Sequence, residues 1–199
     1  MKFLFLFLLG VNVIAAQNNH SMRVAMGIPT LYSLGDILTG KFGNYRDEFK
    51  SYNIDGGYLL KQGLFDLPID LYLKGGLTYY EEKFQDDIYG VDIYVKLYYN
   101  IDFWQNRVRV GFGEGASYTN HTLKIEQIDA ALHDDTTSHF LNYLDISLDF
   151  DLGKLVKYKA LHETYLGFLI KHRSGIFGTI NNVRHGGSNY ELIYLEKNF

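Results

Sequence analysis

Cysteine is absent from this chain of 199 residues, and proline occurs only twice. An exported protein without cysteine gains no disulfide reinforcement and cannot be anchored through a lipid-modified cysteine. Beyond the first residues, no stretch stays apolar for the roughly 20 residues a membrane helix needs, so any membrane reading must go through strands. Basic residues are also outnumbered: 19 Lys and Arg stand against 23 Asp and Glu, for a net charge of −4. That balance disfavours a nucleic-acid partner.

The amino terminus is the exception. Met1 and Lys2 precede a wholly apolar run from Phe3 to Leu9, and a weaker stretch ends in Ala15 and Ala16. A charged start, a short apolar core and small residues at the exit form the pattern of a secretory signal peptide over residues 1–16. The remaining residues, 17–199, suffice for one domain.

Period-two alternation recurs along those residues, which is the signature of strands. Met22, Val24, Met26 and Ile28 alternate with Arg23, Ala25 and Gly27. Val91, Ile93, Val95, Leu97 and Ile101 interleave with Asp92, Lys96, Asn100 and Asp102, and Leu144, Ile146 and Leu148 with Asp145, Ser147 and Asp149. Similar segments begin at Ile69 and Arg107; a weaker one covers 52–62, and further ones cover 161–174 and 189–199. The total of eight suits a single-chain barrel. Connections near 63–67, 104–106 and 153–160 are short or moderate, whereas polar ones near 33–50 and 120–139 are long, the asymmetry expected of periplasmic turns and outer loops. The reading is all-β: an eight-stranded antiparallel transmembrane β-barrel of the outer-membrane type. Asp92, Lys96, Arg109, Asp145 and Asp149 should fill its lumen. A periplasmic lipocalin-like barrel, with the faces inverted, is disfavoured by the charge on that inner face. A conducting porin is disfavoured by the strand count.

Thr164 to Ser174 carries the chemistry. Leu166, Phe168, Ile170, His172 and Ser174 share one face of a strand, so an apolar stripe ends in a base and a hydroxyl. If the stripe faces outward, both groups stand at the head-group end of a lipid. In the simplest hairpin register His172 lies opposite Glu191 and Ser174 opposite Asn189, within about 5 Å across strands. His172 could then take the Ser174 proton while Glu191 holds the imidazole tautomer. The backbone N–H of Gly175 or the Asn189 side chain would serve as oxyanion donor.

The barrel pattern, His172-Arg173-Ser174 near the outer end of the penultimate strand, and a carboxylate opening a last strand that ends in Phe199 resemble the lipid A 3-O-deacylase family. That family's members are eight-stranded outer-membrane barrels that remove an ester-linked acyl chain from lipopolysaccharide with Ser, His and Glu on the lipid-facing surface. The resemblance implies Ser174 as nucleophile, His172 as base, Glu191 as orienting acid, lipid A in the bacterial outer membrane as substrate, and no cofactor. It is strongest over 165–199 and only architectural before that. The family usually has asparagine directly after the serine, where this chain has Gly175, and the loop between serine and acid is longer here. Glu196 is a fallback acid whose parity points into the lumen.

Lys171, Arg173, Arg184 and His185 gather near the last outer loop and are candidates for lipid A phosphate contacts. His133-Asp134-Asp135 with His139 reads as a mobile polar loop without the spacing of a metal site. Glycines in the segment 111–115 mimic a phosphate loop but lie within a strand. The rival to an ester hydrolase is a non-enzymatic barrel with a structural or adhesive role.

Overall fold

A computed structural model describes residues 19–43, 45, 48–83 and 86–199. The expected signal peptide lies outside the described residues. Eight strands follow in order: β1 (His20–Thr30), β2 (Phe49–Lys61), β3 (Ile69–Glu82), β4 (Ile88–Phe103), β5 (Asn106–Thr119), β6 (Phe140–Asp151), β7 (Thr164–Ser174) and β8 (Ser188–Asn198). Each pairs antiparallel with the next, and β8 pairs back onto β1, so the sheet closes without a free edge. Closure satisfies every ladder, which an open sheet in lipid could not do.

The alternation sorts the side chains as expected. Arg23, Asp55, Lys74, Lys96, Asp145 and Glu196 are buried in the lumen, while Met26, Ile54, Leu77, Val91 and Ile93 are exposed on the outer wall. The interior charges neutralise one another. Arg23 on β1 binds Asp55 at 2.6 Å and Asp145 at 2.7 Å. Lys74 reaches Asp55 at 3.1 Å and Glu196 at 2.5 Å, Arg109 reaches Asp149 at 2.8 Å, and Lys96 pairs with Asp145. Gly111 and Gly113 stand where a Cβ would meet the Lys96 side chain, so these glycines make room for a buried lysine and hold no phosphate. Removing one member of such a network strands its partner and costs about 3–5 kcal/mol.

Both chain ends of the barrel meet at one rim, where His20 and Phe199 exchange backbone hydrogen bonds of 3.0 and 2.9 Å. That rim carries the tighter β2–β3 and β4–β5 turns. The β4–β5 hairpin turns on Trp104 and Gln105, both at positive φ, the geometry of a type I′ turn usually built from Asn-Gly. Trp104, the single tryptophan, is 93% exposed there. The opposite rim carries the longer loops, two of which hold helices. α1 (Leu34–Leu38) is capped by Ser33, whose Oγ accepts the Asp36 N–H at 3.2 Å. α2 (Lys124–Leu132) lies within the 120–139 connection, expected only as a long polar loop. It buries Ile125, Glu126 and Ala130 over the lumen mouth, where Glu126 faces Arg173 at 3.4 Å and accepts the Ser188 hydroxyl at 2.8 Å. Burial pushes the Glu126 carboxyl above its ordinary range, against the pull of Arg173 and Ser188. α3 (Leu152–Leu155) sits in the β6–β7 connection at the rim of the chain ends.

Candidate functional site

The stripe on β7 faces outward, as the alternation requires: Lys171 and Arg173 point inward, and His172 and Ser174 point away from the lumen. The β7–β8 register differs from the simplest hairpin by two residues. His172 is opposite Asn189, and Glu191 is opposite Ile170. A two-residue slip preserves every face and changes every partner. His172 Nδ1 bonds the Asn189 Oδ1 at 2.7 Å. The Asn189 amide nitrogen donates in turn to the Tyr32 carbonyl at 2.9 Å. Because that donation identifies the amide oxygen as the atom facing the ring, Nδ1 carries the proton and Nε2 the lone pair.

Glu191 is not brought to His172. Its carboxylate accepts the Gly43 N–H at 3.4 Å and is only 9% exposed. The cover is the segment 31–43, which folds down the outer wall over β7 and β8, setting Phe42 edge-on against Phe168 with ring centroids 5.4 Å apart. The residue against the His172 ring is thus Asn189, where the simplest register had expected Glu191. Glu196 does lie in the lumen, paired with Lys74.

Ser174 is opposite Asn142 on β6. No hydrogen bond joins its Oγ to His172 among the described residues; the two side chains are same-face neighbours one pleat apart, about 7 Å along the strand. Gly175 follows directly, and a Cβ there would collide with the Val183 carbonyl, so only glycine lets the fourth outer loop close so near the serine. Ile176 and Phe177 come next, both at positive φ of 47° and 54°. For a β-branched residue that conformation is strained, and it thrusts Phe177 out to 93% exposure.

Together these groups line a cavity of about 1010 Å³ between the first and fourth outer loops and the outer wall of β5–β8. Leu34, Phe112, Leu144 and Ile176 give it an apolar side; Glu114, Asn142, His172, Ser174, Asn189 and Arg184 give it a polar one. Asn142 and Glu114 were missed by sequence reasoning, although each shares parity with the outward residues of its own strand, Leu144 and Phe112 respectively.

The cationic candidates divide. Lys171 and Arg173 are each 1% exposed inside the barrel, bound to Asp92 at 2.6 Å and to Glu126 at 3.4 Å. Parity on β7 turns them away from any external phosphate, so the expectation fails for both. Arg184 and His185 are exposed at the cavity mouth. His133 and His185 stack with centroids 4.1 Å apart, and no group of three or more metal-ligating side chains occurs among the described residues.

No family model and no curated protein matches the chain. Among solved structures it is similar to the outer membrane enzyme PagL, with TM-score 0.61 and 10% identity over 89% of this chain and 98% of that one. It is also similar to Neisserial surface protein A (NspA), with TM-score 0.52 and 13% identity over 94% of this chain and 100% of that one. At such identities the likeness establishes the fold alone: a closed eight-stranded antiparallel barrel of the outer-membrane type.

Proposed function

We propose that this chain is an outer-membrane ester hydrolase that removes an ester-linked acyl chain from lipid A. The supporting observation is the oriented His172–Asn189 pair beside Ser174 in a cavity that is apolar on one side, polar on the other, and open on the outer wall. An acylated glycolipid can lay its chain against Phe112 and Leu144 and bring its ester to Ser174.

Ser174 Oγ attacks the ester carbonyl carbon as His172 Nε2 takes its proton, a contact that tightens once substrate fills the cavity. The Gly175 N–H and the Asn142 side-chain amide, adjacent to Ser174 across the β6–β7 ladder, receive the negative charge on the carbonyl oxygen. Collapse breaks the ester C–O bond, and the imidazolium returns the proton to the departing sugar oxygen. Water then attacks the acyl-serine by the same route and releases a fatty acid. Arg184 at the mouth is the remaining cation for a lipid A phosphate.

A non-enzymatic surface role is the second reading, favoured by Phe177 and Leu132, which expose apolar side chains on the outer loops. Mass spectra of lipid A from cells making wild type or Ser174→Ala separate the two. Loss of one acyl chain with the wild type alone supports the hydrolase; identical spectra overturn it in favour of the surface role.

A further inference from the structure

The His172 partner, Asn189, is neutral. An amide fixes the tautomer, but it contributes no negative charge to the imidazolium that forms when Ser174 gives up its proton. In a Ser-His-acid arrangement the third residue does both jobs. Here the carboxylate expected to do so, Glu191, is turned under the first loop toward Gly43. Positioning and charge must therefore come from different residues.

Glu114 fits the missing half. Val110, Phe112 and Glu114 alternate on the outer wall of β5, so a carboxylate stands where the neighbouring strands present apolar groups. An ionisable group on such a surface is expensive and needs a reason. No hydrogen bond or salt bridge holds Glu114 among the described residues, and its side chain is exposed into the cavity that Ser174 and His172 line. The ladder puts it in register with them: Glu114 pairs with Leu144, Leu144 with His172, and His172 with Asn189. Two strand spacings of about 4.8 Å separate the Glu114 and His172 backbones.

We propose that Glu114 is a positioning residue of the site, supplying across the face of Leu144 the negative charge that stabilises protonated His172, while Asn189 sets the ring's orientation. This rests on the ester-hydrolase reading. The division suits a site beside lipid: the charge that serves His172 stays at the exposed end of the cavity, and its contact beneath the first loop is a neutral amide.

The test measures fatty-acid release from lipopolysaccharide in mixed micelles, across pH, by full-length wild type, S174A, E114Q, E114D and N189D, and by N189D carrying E114Q. Folding of each variant is verified by the mobility of the unheated barrel on a gel. E114Q should lower the rate about tenfold, the scale of one unit charge roughly 10 Å away at a partly hydrated surface, and should move the acid limb of the profile to lower pH. E114D should recover most of the loss. With an acid placed at 189, E114Q should lose most of its effect, which a merely structural role for Glu114 would not produce. If wild type is active, S174A is dead and E114Q matches wild type at every pH, the Glu114 assignment is wrong and the hydrolase reading survives. A tenfold loss that persists undiminished in the N189D background overturns charge supply as its role. If wild type releases no more than S174A, the hydrolase reading falls, and the role of Glu114 falls with it.

Discussion

The outer wall of this barrel has two flanks built on the same alternation. Along β2, β3 and β4 the outward side chains Tyr52, Ile54, Leu77, Tyr89, Val91 and Ile93 form an aromatic-edged apolar surface, and the outward charges Lys50 and Glu81 stand opposite each other only at its loop-side edge. Over the upper halves of β5 to β8 the equivalent positions hold Glu114, Asn142, His172, Ser174, Asn189 and Glu191. The segment 31–43 reaches down only the second flank, tied there through Asn189, Glu191 and Phe168. A wall made only to sit in lipid has no use for this asymmetry, since each outward polar group forfeits transfer energy. The difference sets a plain lipid-facing wall on one flank against the candidate site on the other.

The comparison breaks most visibly if charge is equally tolerated on both flanks. Ile93→Lys should cost about 2–4 kcal/mol in lipid vesicles, the range for a lysine on the lipid face of a barrel. Asn142→Lys, beside the open cavity, should cost far less; denaturant titration of vesicle-embedded protein reads both. Equal costs would mean that the second flank is no more hydrated than the first.

Within the polar flank, Asn189 and Glu191 can be told apart by fatty-acid release. Asn189→Ala removes the acceptor for His172 and should slow release about 10- to 100-fold, as expected for a lost hydrogen bond to a group that becomes charged. Glu191→Gln should change it much less, because that carboxylate faces Gly43. The reverse order would restore Glu191 as the orienting acid.

The smallest effect concerns the loops above that flank. Backbone N–H groups of His185, Thr136 and Arg184 hold the Asp135 carboxyl below its ordinary value of 3.8 and tie the fourth outer loop to the third. A carboxyl lowered on folding stabilises its tie fully above the ordinary value, and the tie is lost as pH falls through the lowered one. Limited proteolysis within 175–187 should therefore be slow at neutral pH and speed up below about pH 4, whereas Asp135→Asn should already be cut faster at neutral pH.

Strands, closure and lumen charges were legible in the sequence because burial on one face imposes a period of two, and that period survives errors at element ends. The second strand, read over 52–62, runs Phe49–Lys61 with its faces unchanged. Register was not legible, because the length of the connecting loop sets it, and the slip to His172–Asn189 leaves the outward face untouched. Lys171 and Arg173 were judged by closeness to the loop, although their parity already sent them inward. α2 went unread because a short polar helix with few buried positions carries little periodic signal. Glu114 had the necessary signal, falling in step with Val110 and Phe112, but the surrounding glycines drew attention to backbone shape.

The interior ion pairs join positions far apart in the chain: Arg23 meets Asp145, and Lys74 meets Glu196, each across 122 positions. A nascent sheet cannot make these bonds. Until the final strand docks against the first, Lys74 and Arg109 lack their contacts with Glu196 in what becomes a dry interior. A truncation before β8 would strip Lys74 of its shorter ion pair and leave it Asp55 alone, so half-made walls are penalised and completion of the barrel is favoured.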